Sequence, residues 1–183
     1  MPPVPVALLD VDCNLDRAWL ADVAEVLTIV SQRDFAKAEP FGYGVGAVVR
    51  VAQNAGDVAP GEWLMAFISR PDLAGVLGYH DIAPNGMPLA RCFPFLDEPE
   101  MRSVTASHEL FEMLGDADIN TAVVGPDGVV RCREACDPVE ALSFPYTCSS
   151  GRVLKVSNWV TPAFFSPAPD GSVPLDFMRK VTS

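Results

Sequence analysis

The hydrophobic pattern of the chain changes period several times, and each change predicts an element. Pro5 to Val11 is a short apolar run that fits one buried strand. From Leu15 to about Lys37 the period becomes helical: Trp19, Val23, Val26, Leu27 and Val30 share one face, and Asn14 is placed as the N-cap. This stripe predicts a long helix lying on a sheet. Gly46 to Ala52, Trp63 to Ser69, Val76 to His80 and Pro88 to Phe95 read as further strands, with a turn from Asn54 to Gly61. A second helical pattern begins at Val104. Its Ala106, Leu110, Met113 and Leu114 face a core, while Thr105, His108, Glu109, Glu112 and Asp116 form a polar stripe. Thr121 to Gly125 and Gly128 to Cys132 flank Pro126-Asp127 as a β-hairpin, and Val153 to Val160 reads as a last strand. Thr161 to Pro174 carries four prolines and predicts an irregular arm over about 161–183. The pattern gives an α+β domain spanning 1–183, with a mixed twisted sheet, a long N-terminal helix and a second helix that carries the polar stripe.

Composition narrows the function classes. With 183 residues, 49% hydrophobic and 20% charged, the chain is long enough for a substantial core and too apolar for disorder. Its 24 acidic and 13 basic residues give a net charge of −11. No basic cluster exists to neutralise phosphates, so nucleic acid is not an expected partner. No apolar run is long enough for a membrane span, and the N-terminus lacks the basic-then-apolar pattern of a signal peptide. A cytoplasmic protein is expected. The five cysteines are an odd number. Reduced, structural cysteines fit a reducing compartment better than a Cys136–Cys148 or Cys132–Cys148 bridge.

The chemistry concentrates at His108-Glu109-x-x-Glu112-x-x-Gly115-x-x-Asp118. Residues i and i+4 of a helix stand one above the other, so His108 and Glu112 point to the same side. Gly115 is placed to leave the helix in a left-handed turn and bring Asp118 back to the stripe. His108, Glu112 and Asp118 would then make a metal site, with Asp116 nearby and Glu109 as general base; the alternative is an ordinary amphipathic helix with a solvated acidic face. Asp137 and Glu140 either add carboxylates to that site or form a separate calcium site. Alternatively, Asp137-Pro138 only opens a turn. His80 either lines the cleft or is satisfied by its neighbour Asp81. Tyr146 is the nearest downstream phenol.

These residues resemble the His-Glu-x-x-His-x-x-Gly-x-x-His/Asp signature of the metzincin clan of zinc peptidases. Residues 108–118, Cys136-Asp137-Pro138-Val139-Glu140 and 157–162 also resemble a set of microbial and phage proteins with a zincin-like core. The resemblance implies zinc bound by His108 and Asp118, with Glu109 deprotonating the metal-bound water and Gly115 at the turn. It also implies a zincin-like fold whose edge strand faces the substrate cleft. A methionine beneath the metal has only Met178 as its counterpart. The departure is Glu112, where the family has histidine. A carboxylate there lowers the charge on the metal and makes manganese or calcium more competitive with zinc. Two functions follow: a metal-dependent hydrolase, expected to act on peptides or proteins, or a non-catalytic zincin-like scaffold. The scaffold would join a larger assembly, such as a phage virion or tail, through its C-terminal arm.

Overall fold

The first strand, β1 (Val4–Asp10), is apolar on both faces: Val6, Ala7, Leu8 and Leu9 are all buried. Such a strand belongs inside a sheet. In the computed structural model, which describes residues 1–124, 128–166 and 171–181, β1 lies between β2 (Ala47–Ala52) and β3 (Trp63–Phe67), parallel to both. Two strands complete the row. β5 (Pro88–Cys92) is parallel to β3, and β4 (Gly78–Ile82) runs antiparallel to β5 at the edge. The sheet is mixed, in the order β2-β1-β3-β5-β4, and the fold is a mixed α+β one.

The first helix, α1 (Arg17–Val30), buries Leu20, Val23, Ala24, Val26, Leu27 and Val30 against the sheet. It starts later than the expected Leu15, and its N-cap is Asp16, which accepts from the amides of Ala18 and Trp19. Asn14 is instead in the left-handed region at φ 54°, because the Asp10 carboxylate gathers the amides of Cys13 and Leu15 into a turn. The helical period does continue towards Lys37, but Ser31–Phe35 is a wider π-helical turn. That turn places hydroxyls against the edge of the sheet. Ser31 Oγ accepts from Ala47 N at 3.0 Å and Thr28 Oγ1 accepts from Val49 N at 2.9 Å. Gln32 Nε2 donates to Ala47 O at 2.9 Å. The exposed edge of β2 is thereby closed, which removes a template for pairing with another chain.

The second helix, α2 (Arg102–Gly115), turns Ala106, Leu110, Phe111, Met113 and Leu114 into the core. Phe111 stacks on Phe35 at 5.0 Å between centroids and meets the edge of Trp159 at 4.8 Å. Two buried serines join α2 to a small hairpin of β8 (Ser143–Thr147) and β9 (Val153–Ser157). Ser103 Oγ donates to Lys155 O, and Ser107 Oγ accepts from Ser157 N, each at 2.8 Å. Strand β8 contains Pro145, which interrupts the pattern that marks a strand in sequence, so β8 is not among the expected strands. β6 (Ala122–Val124) and β7 (Val130–Cys132) pair as the expected hairpin, and its turn at Pro126-Asp127 lies outside the described residues.

The chain beyond Thr161 folds back on the body of the molecule. Phe177 stacks on fully buried Trp159 at 4.2 Å, and Asn158 Nδ2 donates to Asp176 Oδ2 at 2.7 Å. Phe164 and Phe165 are half-buried and edge-on to each other at 5.3 Å. All five cysteines are free, and four of them are buried. Among the described residues no helix is long and apolar enough to cross a membrane.

Candidate metal centre

Helical spacing delivers the first pair. His108 Nε2 lies 3.2 Å from Glu112 Oε1 on α2. The same nitrogen lies 3.3 Å from Asp137 Oδ1, which comes from a 3-10 turn at Asp137–Val139. Ligands about 2.0–2.1 Å from a tetrahedral zinc are themselves about 3.3 Å apart, so this spacing suits one ion. The turn is held to the helix through the other partner of Glu112: Oε1 accepts from Cys136 N at 3.2 Å and from Asp137 N at 3.3 Å. The Cys136 thiol is buried, and its sulfur forms a compact donor group with His108 and Glu112.

The predicted third ligand is placed elsewhere. Gly115 does not adopt the left-handed conformation, since α2 ends at Asp116 with φ −147° and the left-handed residue is Ile119 at φ 50°. Gly115 sits instead against the ring of Tyr43, 3.4 Å from where a Cβ would stand. Asp118 is exposed in the following turn and belongs to neither donor group. Asp116 is buried but turned towards backbone. It accepts from Thr121 N at 2.8 Å and Thr121 Oγ1 at 3.0 Å, which ties down the loop leaving the helix. The third member of the His108 donor group is Cys136 rather than Asp118, and Asp137 lies beside it against His108. Glu140 is exposed and lines the cleft without joining a donor group. Tyr146 lies on β8, with Arg33 over its ring, away from the cleft lining. Met178 is tied through its amide to Asn158.

A second polar group lies behind the first. Alternation on β4 turns Gly78 and His80 towards α2, while Tyr79 pairs with Arg91 on the neighbouring strand. His80 does not pair with Asp81. Its Nδ1 lies 3.5 Å from Glu112 Oε2 and 3.7 Å from Glu109 Oε2, and its Nε2 lies 3.7 Å from Glu134 Oε2. These are ion-pair distances, too long for hydrogen bonds. Accordingly His80 Nε2, Glu109 Oε2 and Glu134 Oε2 are buried without a hydrogen-bond partner among the described residues. Glycine is required at 78, because a Cβ there would stand 2.8 Å from Glu109 Oε1 and 2.9 Å from Arg91 O.

The electrostatics follow from burial and crowding. Burial works against the charged form of His108, but Asp137 and Glu112 outweigh it and raise the imidazole to about 10. His80 is likewise raised to about 10, with Glu109 and Glu112 overcoming burial. Burial acts to raise Glu112, yet the two imidazoles pull it down to about 2. Glu109 is raised by burial against the opposing pull of His80, and Glu134 is raised to about 7 by burial and by Glu112. His108 and Glu109 open onto a cleft of about 550 Å³, also lined by Leu77, Gly78, Met101 and Asp137.

Both histidines of the chain are therefore in the site, a signal that the sequence did carry. Glu134 had no such mark. It enters only because the loop after β7 returns across α2. No protein-family model, curated protein or solved structure matches the chain.

Proposed function

We propose that this protein is a metal-dependent hydrolase with a zincin-like arrangement of edge strand and active helix, acting on peptide or protein substrates. The observation that carries the reading is the compact donor group of His108, Glu112 and Cys136, in which Glu112 Oε1 lies 3.2 Å from His108 Nε2, with Glu109 beside them at the wall of an open cleft. His108, Glu112 and Cys136 would hold the ion, zinc first and manganese or calcium in competition, and Asp137, whose carboxylate lies 3.3 Å from His108 Nε2, stands beside them as a further oxygen donor. A dication there would polarise a carbonyl and acidify water. Glu109 takes up a proton from the attacking water and returns it to the leaving group. Its raised pKa, produced by burial, suits both halves of that task. The amides of Cys136 and Asp137 fix Glu112, and the two imidazoles keep it ionised. β4 borders the cleft through Gly78, so an extended substrate could lie alongside it.

The test is metal analysis of the purified protein together with Glu109→Gln. The variant should retain metal and lose turnover by about 10²–10⁴-fold, the usual contribution of a general base. Cleavage of a peptide library at the wild-type rate by Glu109→Gln would sink the mechanism.

A further inference from the structure

We propose a second divalent-cation site, made by His80, Glu112 and Glu134, with Glu112 bridging it to the His108 site. The two oxygens of Glu112 face different histidines. Oε1 lies 3.2 Å from His108 Nε2, and Oε2 lies 3.5 Å from His80 Nδ1. A carboxylate with one oxygen toward each of two imidazoles has the shape of a bridging ligand. His80, Glu112 and Glu134 each offer one donor atom, all within 4.8 Å of one another.

Three of the surrounding atoms have no other use in the fold. His80 Nε2, Glu109 Oε2 and Glu134 Oε2 are buried and unpartnered, and the side chains of His80 and Glu109 are only 8% and 6% exposed. Unsatisfied buried polar atoms destabilise folded proteins, so several in one place imply a missing partner. The donor chemistry fits cations. With both imidazoles neutral, as metal ligands must be, the carboxylates of Glu109, Glu112, Glu134 and Asp137 would supply four negative charges, which two dications would balance. The wider spacing around His80, 3.5–3.7 Å, suits a larger, more oxygen-rich coordination than that around His108. One imidazole nitrogen would take the ion while the other donates to a carboxylate, the arrangement that usually orients a metal-bound histidine. The bridge rests on the His108 site proposed above; the His80 site does not rest on hydrolysis.

Manganese(II) is the probe. The chelator-stripped full chain is titrated by calorimetry, with bound metal counted by elemental analysis. Two ions per chain are expected in the wild type, and one in each of His80→Asn, Glu134→Gln and His108→Asn. Glu134 is the less buried residue, so Glu134→Gln guards against a misfolded His80 variant. The electron paramagnetic resonance spectrum should pass from the resolved lines of an isolated ion to a broadened, exchange-coupled spectrum as the second equivalent is added. That coupling should vanish in Glu134→Gln. One ion in the wild type, lost in His108→Asn and kept in His80→Asn and Glu134→Gln, overturns the second site and leaves the first standing. Two uncoupled ions overturn the bridge, and no bound ion overturns both sites.

Discussion

The two edges of the sheet are finished in opposite ways. At β2, Thr28 and Ser31 of α1 and its π-helical continuation cap the outward amides of Val49 and Ala47 with hydroxyls. At β4, the neighbouring helix α2 presents not hydroxyls but a histidine and two glutamates, and three buried polar atoms remain unpartnered around His80. The first edge is a stability device. The second gives up local satisfaction, and such sites are where ligands and chemistry are found.

The contrast can be broken most strongly at the sealed edge. Replacing Thr28 by Val and Ser31 by Ala together orphans two amides of β2, at about 1–3 kcal/mol for each. Chemical denaturation should show a loss of about 2–6 kcal/mol, while calorimetry finds metal affinity unchanged. If metal affinity falls in parallel, the two edges are not independent.

Gly78→Ala tests the other edge. The new Cβ would meet Glu109 Oε1 and the Arg91 carbonyl at under 3 Å, so β4 must move away from α2. Overpacking of this kind costs about 1–3 kcal/mol. Here, unlike at β2, weaker metal binding should accompany the lower stability. An unchanged metal titration would show that the gap between β4 and α2 does not set the geometry of the centre.

The smallest effect is the pH dependence of the metal-free chain. His80 and His108 are raised from 6.5 to about 10, so their contribution is complete below 6.5 and is lost as pH climbs through 10. Glu134, raised from 4.5 to about 7, has the same sign. Glu112 is lowered from 4.5 to about 2, so its contribution is present above 4.5 and is lost as pH falls through 2. Glu134, and Glu109 raised in the same direction, begin to lose their contribution above 4.5, so the cluster favours the folded state most in a window around pH 4.5. Thermal melts with chelator should peak in that window and decline toward pH 10. The Thr28→Val/Ser31→Ala variant should keep the same profile at lower temperature, because its lesion carries no titrating group. A flat profile in the wild type would mean that the histidines are not paired with these carboxylates in solution.

Much of the frame was legible from local pattern. The strands at 47–52, 63–67 and 88–92 and both helices fall where apolar periodicity put them, because burial of a strand or a helical stripe leaves a direct mark on sequence. The same rule set His108 and Glu112 one turn apart, and they are. It failed where the chain leaves a helix. Asp118 was drawn toward the site by an assumed left-handed Gly115, yet packing against Tyr43 holds that glycine in the helix and Asp116 is used to pin the exit loop.

The sequence by itself determined which face of α2 is polar and that His108, Glu109 and Glu112 lie on it, since helix geometry acts over four residues and needs no other part of the chain. Only the tertiary structure decided the remaining donors. His80 arrives from an edge strand, and Glu134, Cys136 and Asp137 arrive from a loop that crosses back over the helix. Those approaches are fixed by sheet order and by the backbone hydrogen bonds to Glu112, contacts between residues more than twenty positions apart that leave no periodic trace.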